Sequence, residues 1–256
     1  MFPLERQNKM LELLKLKKVL KMTELKEELN ISMDTLRRDI QSLVKQEKVE
    51  KIYGGGIKLK EYHFGGESSM EERMVSNLQE KQSIAYTCSK FIQDGDCVFL
   101  DSGSTTYQIA KFLQNKKKLT VITNSFPVAL ELLNSDIELI IIGGKVRKEE
   151  RSIVSYEYLF NFSQLNIQKA FICASGITLE KGISDYNVEE AITRKKMIEL
   201  SSEIYVAADS TKFGKDVTVG IAPLSEIDHI VTDQNVDKTF TRAFEQINTN
   251  LIISNM

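Results

Sequence analysis

The fold of the first part of this chain is decided by Ile31-Ser32-Met33-Asp34-Thr35-Leu36-Arg37-Arg38-Asp39-Ile40. Ser32 is a residue type that caps helix N-termini, and Ile31 before it can pack against Leu36. At 100° per residue, the apolar positions of this helix share one narrow arc: Leu36, Ile40, Leu43 and Val44. The stretch therefore predicts a capped helix with one buried stripe.

The opposite face of this helix is polar and basic. Together with the cap residue Ser32, it presents Asp34, Thr35, Arg37, Arg38, Gln41 and Lys45. Guanidinium groups pair bidentately with guanine or clamp phosphate oxygens, and hydroxyl and amide side chains add hydrogen bonds to nucleic acid. The alternative is a merely solvated helix face, which is the usual role of a charged stripe.

The neighbouring segments favour nucleic acid. Two shorter helices are predicted upstream, the second behind Thr23 as its N-cap. The result is a helix-turn-helix, whose second helix lies against base edges in the major groove. Downstream, residues 49–59 predict two short strands around a glycine turn, which form a wing. Glycine amides and basic or hydroxyl side chains there can contact the sugar-phosphate backbone, and the candidates are Lys51, Tyr53, Gly54, Gly55 and Lys58.

The charge distribution divides the chain in two. The net charge is −2 over 256 residues, but residues 1–60 hold 14 Lys and Arg against 9 Asp and Glu, and the remainder holds 20 against 27. A head at +5 and a body at −7 indicate that only the head meets a polyanion. Turn residues without periodicity follow the head. We therefore expect a winged helix-turn-helix at 1–60, a linker at 61–75 and an α/β domain at 76–256.

Composition excludes several classes of protein. Hydrophobic residues at 42% and charged residues at 27% are typical of globular chains. The densest apolar run, residues 139–142, is far shorter than the roughly 18 residues of a membrane span, and the N-terminus lacks a secretion signal. We expect a cytoplasmic protein with no membrane partner. The three cysteines, Cys88, Cys97 and Cys173, have no CxxC spacing, so they predict neither a disulfide framework nor a metal site. No cofactor is expected.

The body alternates short apolar strands with helical patterns. A helix is predicted over residues 70–91, and strands are predicted at 98–100, 120–123, 139–142, 170–173, 205–208 and 229–231. Such alternation is typical of a mostly parallel sheet covered by helices on both faces. Ligands of these sheets bind at the carboxyl ends of the strands, so the loops there form the candidate site.

The loop after the first of these strands is Asp101-Ser102-Gly103-Ser104-Thr105-Thr106. Amides at a helix N-terminus, a glycine and four hydroxyl side chains suit an anion such as phosphate. An ordinary capped helix is the alternative, although one or two hydroxyls would suffice for a cap. Polar and charged residues recur around the later strand ends: Thr123, Asn124, Ser125, Gly143, Gly144, Lys145, Arg147, Ser175, Gly176, Asp185, Glu189 and Lys212.

Both parts of the chain resemble one family. The stretch at 31–40, with Tyr53-Gly54-Gly55-Gly56 some thirteen residues later, looks like the winged helix-turn-helix of DeoR-type bacterial transcriptional regulators. The body is similar to the effector domain of that family, which itself resembles sugar-phosphate isomerases such as ribose-5-phosphate isomerase. The matching stretches are 100–106, 121–125, 142–147, 169–176, 190–198 and 209–214. The chain departs from the family pattern at Gly56, Ser155 and Ser175.

The resemblance implies a repressor with operator DNA as its partner and a phosphorylated sugar as its effector. It implies that the hydroxyl loop holds the phosphate and that six residues lie near the sugar: Asn124, Lys145, Arg147, Asp185, Glu189 and Lys212. The departures at Ser155 and Ser175 bear on the preferred sugar. A homo-oligomer is expected because a single head contacts too few bases to be selective, and the resemblance implies a dimer or tetramer built through the body.

Two alternatives come from other classes. An isomerase or deaminase with a DNA-binding appendage would need a carboxylate base over the sugar carbon, for which Asp101, Asp185 and Glu189 are candidates. Against this, the loop at 174–176 lacks the acidic residues expected of an enzyme of this fold, and the two histidines, His63 and His229, lie elsewhere in the chain. A DNA-architectural protein without an effector would leave the hydroxyl loop unexplained.

Overall fold

The computed structural model describes residues 3–17, 19–45, 48–52, 55–59, 68–154 and 166–255. The chain divides into two units, Met1–Phe64 and Gly65–Met256, which we call unit 1 and unit 2. Among the described residues, every helix is too short or too polar to traverse a lipid bilayer.

In its described residues, unit 1 has three helices and a three-stranded antiparallel sheet. The elements in chain order are α1 (Pro3–Lys17), β1 (Val19–Lys21), α2 (Met22–Leu29), α3 (Met33–Lys45), β2 (Val49–Ile52) and β3 (Gly56–Leu59). The strands lie in the order β1-β3-β2, and β2 pairs with β3 as the predicted wing hairpin. One apolar cluster joins helices and sheet, and it includes Met10, Leu14, Leu25, Leu36, Ile40 and Ile57.

Helix α3 has the predicted cap and a narrower buried stripe than predicted. The Oγ of Ser32 accepts a hydrogen bond from the backbone N–H of Thr35 at 3.2 Å. The stripe consists of three buried residues: Leu36, Ile40 and Leu43. Val44 was predicted as its fourth member but is 37% exposed. It lies at the edge of the apolar arc in the last turn, where the packing against the other helices ends.

Helix α2 begins two residues earlier than predicted. It starts at Met22, directly after β1, so Thr23 lies inside the first turn and the prediction that it caps the helix is wrong. The carboxylate of Glu24 instead accepts a hydrogen bond from the backbone N–H of Lys21 at 3.1 Å. The extra strand β1 sets this start, because its pairing with β3 fixes the chain as far as Lys21.

Unit 2 contains the remaining elements. In chain order they are α4 (Met70–Val75), α5 (Leu78–Phe91), β4 (Cys97–Leu100), α6 (Ser104–Lys111), β5 (Thr120–Thr123), α7 (Phe126–Leu132), β6 (Glu138–Ile141), β7 (Lys145–Arg147), β8 (Ser152–Val154), β9 (Ile167–Ile172), β10 (Gly176–Thr178), β11 (Gly182–Asp185), α8 (Val188–Leu200), β12 (Ser201–Ala207), β13 (Val219–Ala222), β14 (His229–Thr232), α9 (Lys238–Phe244) and β15 (Asn250–Ile253). Short 3-10 helices occupy Ser210–Lys212 and Leu224–Glu226.

A seven-stranded parallel sheet organises unit 2 and confirms the predicted α/β fold. Its strands lie in the order β15-β14-β12-β9-β4-β5-β6. Six of them correspond to the six predicted strands, and the edge strand β15 is additional. Successive residues of a strand face opposite sides. Phe99 accordingly packs in one core cluster with Ile172, while Val98 and Leu100 pack in another with Phe171. The sheet is therefore buried on both faces, and its carboxyl edge is left to bind ligands.

Two smaller antiparallel elements accompany this sheet. One is a three-stranded sheet in the order β10-β11-β13, and the other is the hairpin of β7 and β8. The predicted loop at 143–147 is therefore wrong from Lys145 onward, because Lys145–Arg147 pairs with β8. Gly176 likewise begins β10 and does not lie in a loop.

The helix predicted over 70–91 is two helices. Helix α4 ends at Val75 and α5 begins at Leu78. Between them, Asn77 has a φ of 48°, in the left-handed region that an α-helix does not tolerate. The break therefore changes the direction of the chain just before the first residues of α5.

Helix α4 belongs to unit 2 and not to a linker. It has a complete capping box: the Oγ of Ser69 accepts from the backbone N–H of Glu72, whose carboxylate accepts from the N–H of Ser69, both at 3.3 Å. Met70 is fully buried. The predicted linker at 61–75 is therefore too long at its C-terminal end.

Candidate functional site

The face of α3 that was predicted to meet nucleic acid is largely exposed. Ser32, Asp34, Arg37, Arg38 and Gln41 are exposed, and Thr35 is half-buried. An NH1 of Arg37 lies 3.5 Å from Oδ1 of Asp34, and both side chains are mostly in solvent. Exposed ion pairs of this kind contribute little, so breaking this pair to contact a phosphate or a base edge would cost little free energy.

The inner side of α3 is anchored by a buried ion pair. Asp39 is 5% exposed and accepts hydrogen bonds from Nε of Arg6 at 2.7 Å and from NH2 at 3.2 Å. A bidentate pair of this geometry fixes orientation as well as distance. Arg6 on α1 therefore holds Asp39 on the buried side of α3, and the preceding Arg37 and Arg38 lie on its exposed side.

The wing presents one predicted lysine to solvent and engages the other. Lys51 is exposed, whereas Nζ of Lys58 lies 2.9 Å from Oε1 of Glu50, its neighbour across the hairpin. Gly55 has a φ of 80°, a conformation that glycine adopts without strain. Three predicted features lie outside the described residues: Tyr53, Gly54 and the side chain of Lys45.

In unit 2, the predicted hydroxyl loop is the start of α6. Gly103 is the N-cap and Ser104 the first helical residue, so the amides of Ser104 and Thr105 have no acceptor within the helix. A side chain at Gly103 is excluded, because its Cβ would lie 2.1 Å from Sγ of Cys173. The loop thus brings helix amides and hydroxyls together at the carboxyl edge of the sheet, as anion binding requires.

These residues line a cavity of about 40 Å³, which we call the edge cavity. It brings together seven of the predicted residues: Ser102, Gly103, Ser104, Thr105, Ser175, Asp185 and Lys212. The rest of its wall comes from residues that were not among the predicted ligands: Arg73, Lys81, Cys173, Ala174, Arg194, Ala207, Ala208 and Asp209.

Cationic side chains reach the edge cavity from different elements. Lys81 on α5 is 3% exposed, and burial lowers its pKa to about 8 against the attraction of Asp209. Burial also lowers the pKa of Lys212, again against Asp209. Arg73 on α4 completes the set. A buried ammonium lacks the solvation that it has in water. A bound dianion would compensate for this lost solvation.

Arg194 on α8 gathers carboxylates behind the edge cavity. Its Nε donates to Oδ2 of Asp101 at 2.6 Å. Its NH1 lies 2.6 Å from Oδ2 of Asp185 as an ion pair without hydrogen-bond alignment, and NH2 lies 4.0 Å from Oε2 of Glu190. Burial opposes the charge, but the carboxylates outweigh it and raise the pKa of Arg194 well above its ordinary value. Arg194 is therefore a permanent cation.

Asp185 is held as a carboxylate. Burial alone would raise its pKa, but the charge of Arg194 and hydrogen bonds from the N–H of Asn187 and the hydroxyl of Ser175 bring the pKa below its ordinary value. A carboxylate with a lowered pKa is a weak base and a good acceptor. At the cavity wall, Asp185 suits a hydroxyl group of a ligand better than it suits proton abstraction.

The pKa of Glu190 is shifted in the opposite direction to that of Asp185. Burial raises its pKa, against the charge of Arg194 and a hydrogen bond from Ser152. Its Oε2 accepts from the hydroxyl of Ser102 at 3.0 Å and its Oε1 from Ser152 at 2.5 Å, with NH1 of Arg147 3.4 Å from Oε1. Glu190 therefore orients a cavity hydroxyl, and Arg147 supports it from behind the wall.

Other predicted ligands are part of the scaffold and not of the cavity wall: Asp101, Thr106, Thr123, Asn124 and Ser125. The hydroxyls of Thr106 and Thr123 donate to backbone oxygens at 2.6 and 2.7 Å. Ser125 caps α7, and the amide of Asn124 donates to Oγ of Ser102 at 3.2 Å. These side chains have partners inside the protein and support the cavity from behind, although the buried Oδ1 of Asn124 has no hydrogen-bond partner among the described residues.

The remaining predicted residues also lie outside the cavity wall: Gly143, Gly144, Lys145, Arg147, Gly176 and Glu189. Nζ of Lys145 lies 2.8 Å from Oε1 of Glu189, which links β7 to α8. A Cβ on Gly176 would lie 2.4 Å from the backbone oxygen of Lys215, so this glycine is required for packing. Their contacts with a sugar stay predictions.

Lys81 and Arg194 were missed although the sequence contains a signal for both. Each lies on the apolar stripe of its helix. Lys81 precedes the buried residues Ile84, Ala85 and Cys88 by three, four and seven positions, and Arg194 lies between Ala191 and Ile198. A charge in an apolar stripe must find its counter-charge inside the protein. Arg73 carries no comparable signal.

Comparisons with known proteins match both units. Residues 6–61 match the DeoR-like helix-turn-helix domain, and residues 76–234 match the DeoR C terminal sensor domain. The chain is 36% identical to the HTH-type transcriptional regulator IolR of Bacillus subtilis over 86% of each chain. It is 29% identical to the putative aga operon transcriptional repressor of Escherichia coli O157:H7 over 91% of this chain and 87% of that protein.

Among solved structures, the similarity is weaker. Ribose 5-phosphate isomerase A from Methanocaldococcus jannaschii aligns with 54% of this chain and 55% of its own, at 18% identity and a TM-score of 0.42.

Proposed function

The chain belongs to the DeoR family of transcriptional regulators, and on that premise we propose that it represses a carbohydrate-metabolism operon under the control of a phosphorylated sugar. Unit 1 binds operator DNA, and unit 2 binds the effector in the edge cavity. The observation that carries the proposal is the cavity itself, which combines buried cations with the first-turn amides of α6.

Operator recognition is assigned to the exposed face of α3. Arg37 and Arg38 are placed to contact base edges or phosphates, with Lys51 of the wing on the sugar-phosphate backbone. Repression is supported by the relative that is named a putative operon repressor. Because one head reads few bases, two or more copies act together on adjacent half-sites.

The effector is assigned to the edge cavity in two parts. Its phosphate lies against the amides and hydroxyls of Ser104 and Thr105 and near the ammonium groups of Lys81 and Lys212. A charge-assisted hydrogen bond of this kind contributes about 1.5–3 kcal/mol, so a few suffice for useful affinity. The ionised carboxylate of Asp185 accepts from a sugar hydroxyl.

Control of transcription requires that the effector bind one state of the regulator better than another. Coupling free energies between two sites are typically about 1–3 kcal/mol, which corresponds to about 5- to 150-fold in operator affinity. A metabolite at a concentration near its dissociation constant therefore changes operator occupancy substantially.

A thermal-shift screen of the full chain tests the effector assignment. Pentose and hexose monophosphates are compared with the same sugars without phosphate. We expect at least one monophosphate to stabilise the chain, by about 2.7 kcal/mol at a hundred times its dissociation constant, and its free sugar to have no effect. Equal stabilisation by the free sugar, or none by any monophosphate, contradicts the proposal.

Paired variants locate the binding. Replacing Ser104 and Thr105 together by Ala removes two hydroxyls from the cavity wall, and the monophosphate shift should disappear. The matched control replaces two exposed hydroxyls of unit 2, Thr218 and Ser225, by Ala, and it should keep the full shift.

A further inference from the structure

Lys81 has two roles at the junction of α4 and α5. Its Nζ donates to the backbone oxygens of Arg73 and Ser76, the latter at 2.7 Å. Carbonyl groups in the last turn of a helix have no partner within the helix. The ammonium therefore caps α4, and the same side chain lines the edge cavity.

The ammonium of Lys81 has capacity for another acceptor. A lysine carries three N–H donors, and two of them are used by the oxygens at the end of α4. Toward a third acceptor, Oγ of Ser76, the distance is 3.5 Å, which is long for a hydrogen bond. An anion in the edge cavity can take this donor without displacing the cap.

Two further contacts fasten the junction to its surroundings. The guanidinium of Arg73 is ion-paired with Glu150, and both side chains are largely buried. The side-chain amide of Asn77, the residue that breaks the helix, donates to Oδ1 of Asp209 at 3.3 Å. Arg73 and Asp209 both line the edge cavity. The end of α4 is therefore connected to the cavity wall at several points.

We propose that the α4–α5 junction, formed by Arg73, Ser76 and Lys81, is the segment of unit 2 that responds to effector: the phosphate takes the third donor of Lys81 and strengthens its cap on α4. This inference rests on the proposed function, because it needs an anion in the edge cavity. It makes Lys81 a direct hydrogen-bond donor to the phosphate and names the segment whose stability depends on the phosphate. In chain order, α4 is the first described helix of unit 2.

Burial limits the strength of this cap. Burial lowers the pKa of Lys81 to about 8, with Asp209 and Cys173 favouring its charge and Lys212 and Arg73 opposing it. Near that pH, part of the population carries a neutral amine, which donates weaker hydrogen bonds than an ammonium. A phosphate dianion restores the charge, so occupancy of the cavity strengthens the cap.

Hydrogen–deuterium exchange on the full chain tests the inference, with inorganic phosphate as the probe and potassium chloride at equal ionic strength as the reference. Phosphate binding is measured in parallel by calorimetry. We expect the amides of residues 73–78 to exchange about two- to fivefold more slowly with phosphate, as a gain of one partial hydrogen bond implies. The amides of Lys238–Phe244, in α9, should be unaffected.

A pair of lysine variants on α5 completes the test. Lys81→Met keeps the aliphatic stem but removes the ammonium, so phosphate binding should weaken about 10- to 150-fold and the slowing at 73–78 should disappear. Lys90→Met removes an exposed lysine of the same helix and should preserve both.

The outcomes separate the two proposals. If the unaltered chain binds phosphate but exchange at 73–78 does not change, this inference is overturned and the effector site stands. The same holds if phosphate-saturated Lys81→Met shows the full slowing. If the unaltered chain does not bind phosphate, this inference is overturned, and the thermal-shift screen with sugar monophosphates decides the effector site separately. The exchange measurement on the unaltered chain decides the matter even if Lys81→Met does not fold.

Discussion

The exposed face of α3 in unit 1 and the surroundings of the edge cavity in unit 2 hold their charges in opposite ways. On α3, Arg37 and Arg38 are exposed, and the ion pair of Arg37 with Asp34 joins side chains that are 68% and 82% exposed. In unit 2, Arg194 and Asp101 pair at 2.6 Å with side chains that are 5% and 0% exposed. Duplex DNA offers many phosphates, so loosely held surface cations suffice and bound counterions are released. A single small anion must instead meet charges that are already in place.

The largest effect that follows from this contrast is expected at Arg194. Arg194→Met leaves Asp101 and Asp185 buried without their counter-charge, which should lower the free energy of unfolding of unit 2 by about 3–5 kcal/mol. Arg242→Met changes the same residue type at an exposed position of α9 and should cost less than about 0.5 kcal/mol. Chemical denaturation measures both, and equal midpoints would show that the buried network is dispensable.

A smaller effect is expected at Arg38, on the free energy of operator binding and not on that of unfolding. Arg38→Ala should weaken operator binding by about 1–3 kcal/mol for each head, because a bidentate contact is lost. The unfolding temperature should not change, since the side chain is exposed. Fluorescence anisotropy with a duplex selected from a random library measures the affinity, and Arg242→Ala is the matched control. Undiminished sequence-selective binding would remove α3 from the DNA interface.

The smallest effect is the dependence of anion binding on pH. Sulfate is a suitable probe because it stays a dianion throughout. Burial lowers the pKa of Lys81 from 10.5 to about 8, so raising the pH removes the charge that binds the anion. Between about pH 7 and about pH 9, sulfate affinity should fall about tenfold. Titration calorimetry checks this, and Lys81→Met should show a much flatter profile. An affinity that does not fall contradicts a role for the buried ammonium groups.

The sequence predicts best those parts of the fold that each depend on one local pattern. The stripe and cap of α3 and six of the seven parallel strands are of this kind. Strands β1, β7 and β8 have only three residues each, and they are strands because of their partners. No local pattern in the sequence shows such pairing, so β1 was missed and residues 145–147 were predicted as loop.

The candidate site shows the same limit. Ser102, Ser104 and Thr105 of the hydroxyl loop line the edge cavity as a strand-end motif predicts. Lys81 lies there because the chain breaks at Asn77. In a single helix over 70–91, Arg73 and Lys81 would be about 12 Å apart along the axis, and the ammonium would not cap the oxygen of Arg73. The break depends on one left-handed residue, which the helical pattern does not reveal.

We propose that an anion bound in the edge cavity changes the affinity of the exposed face of α3 for operator DNA. The most direct test measures operator affinity of the full chain with and without the monophosphate that stabilises it best, alongside the Ser104→Ala, Thr105→Ala double variant. We expect a change of about 5- to 150-fold for the unaltered chain and none for the variant. An unaltered chain whose operator affinity ignores the monophosphate, or a variant that responds equally, would contradict it.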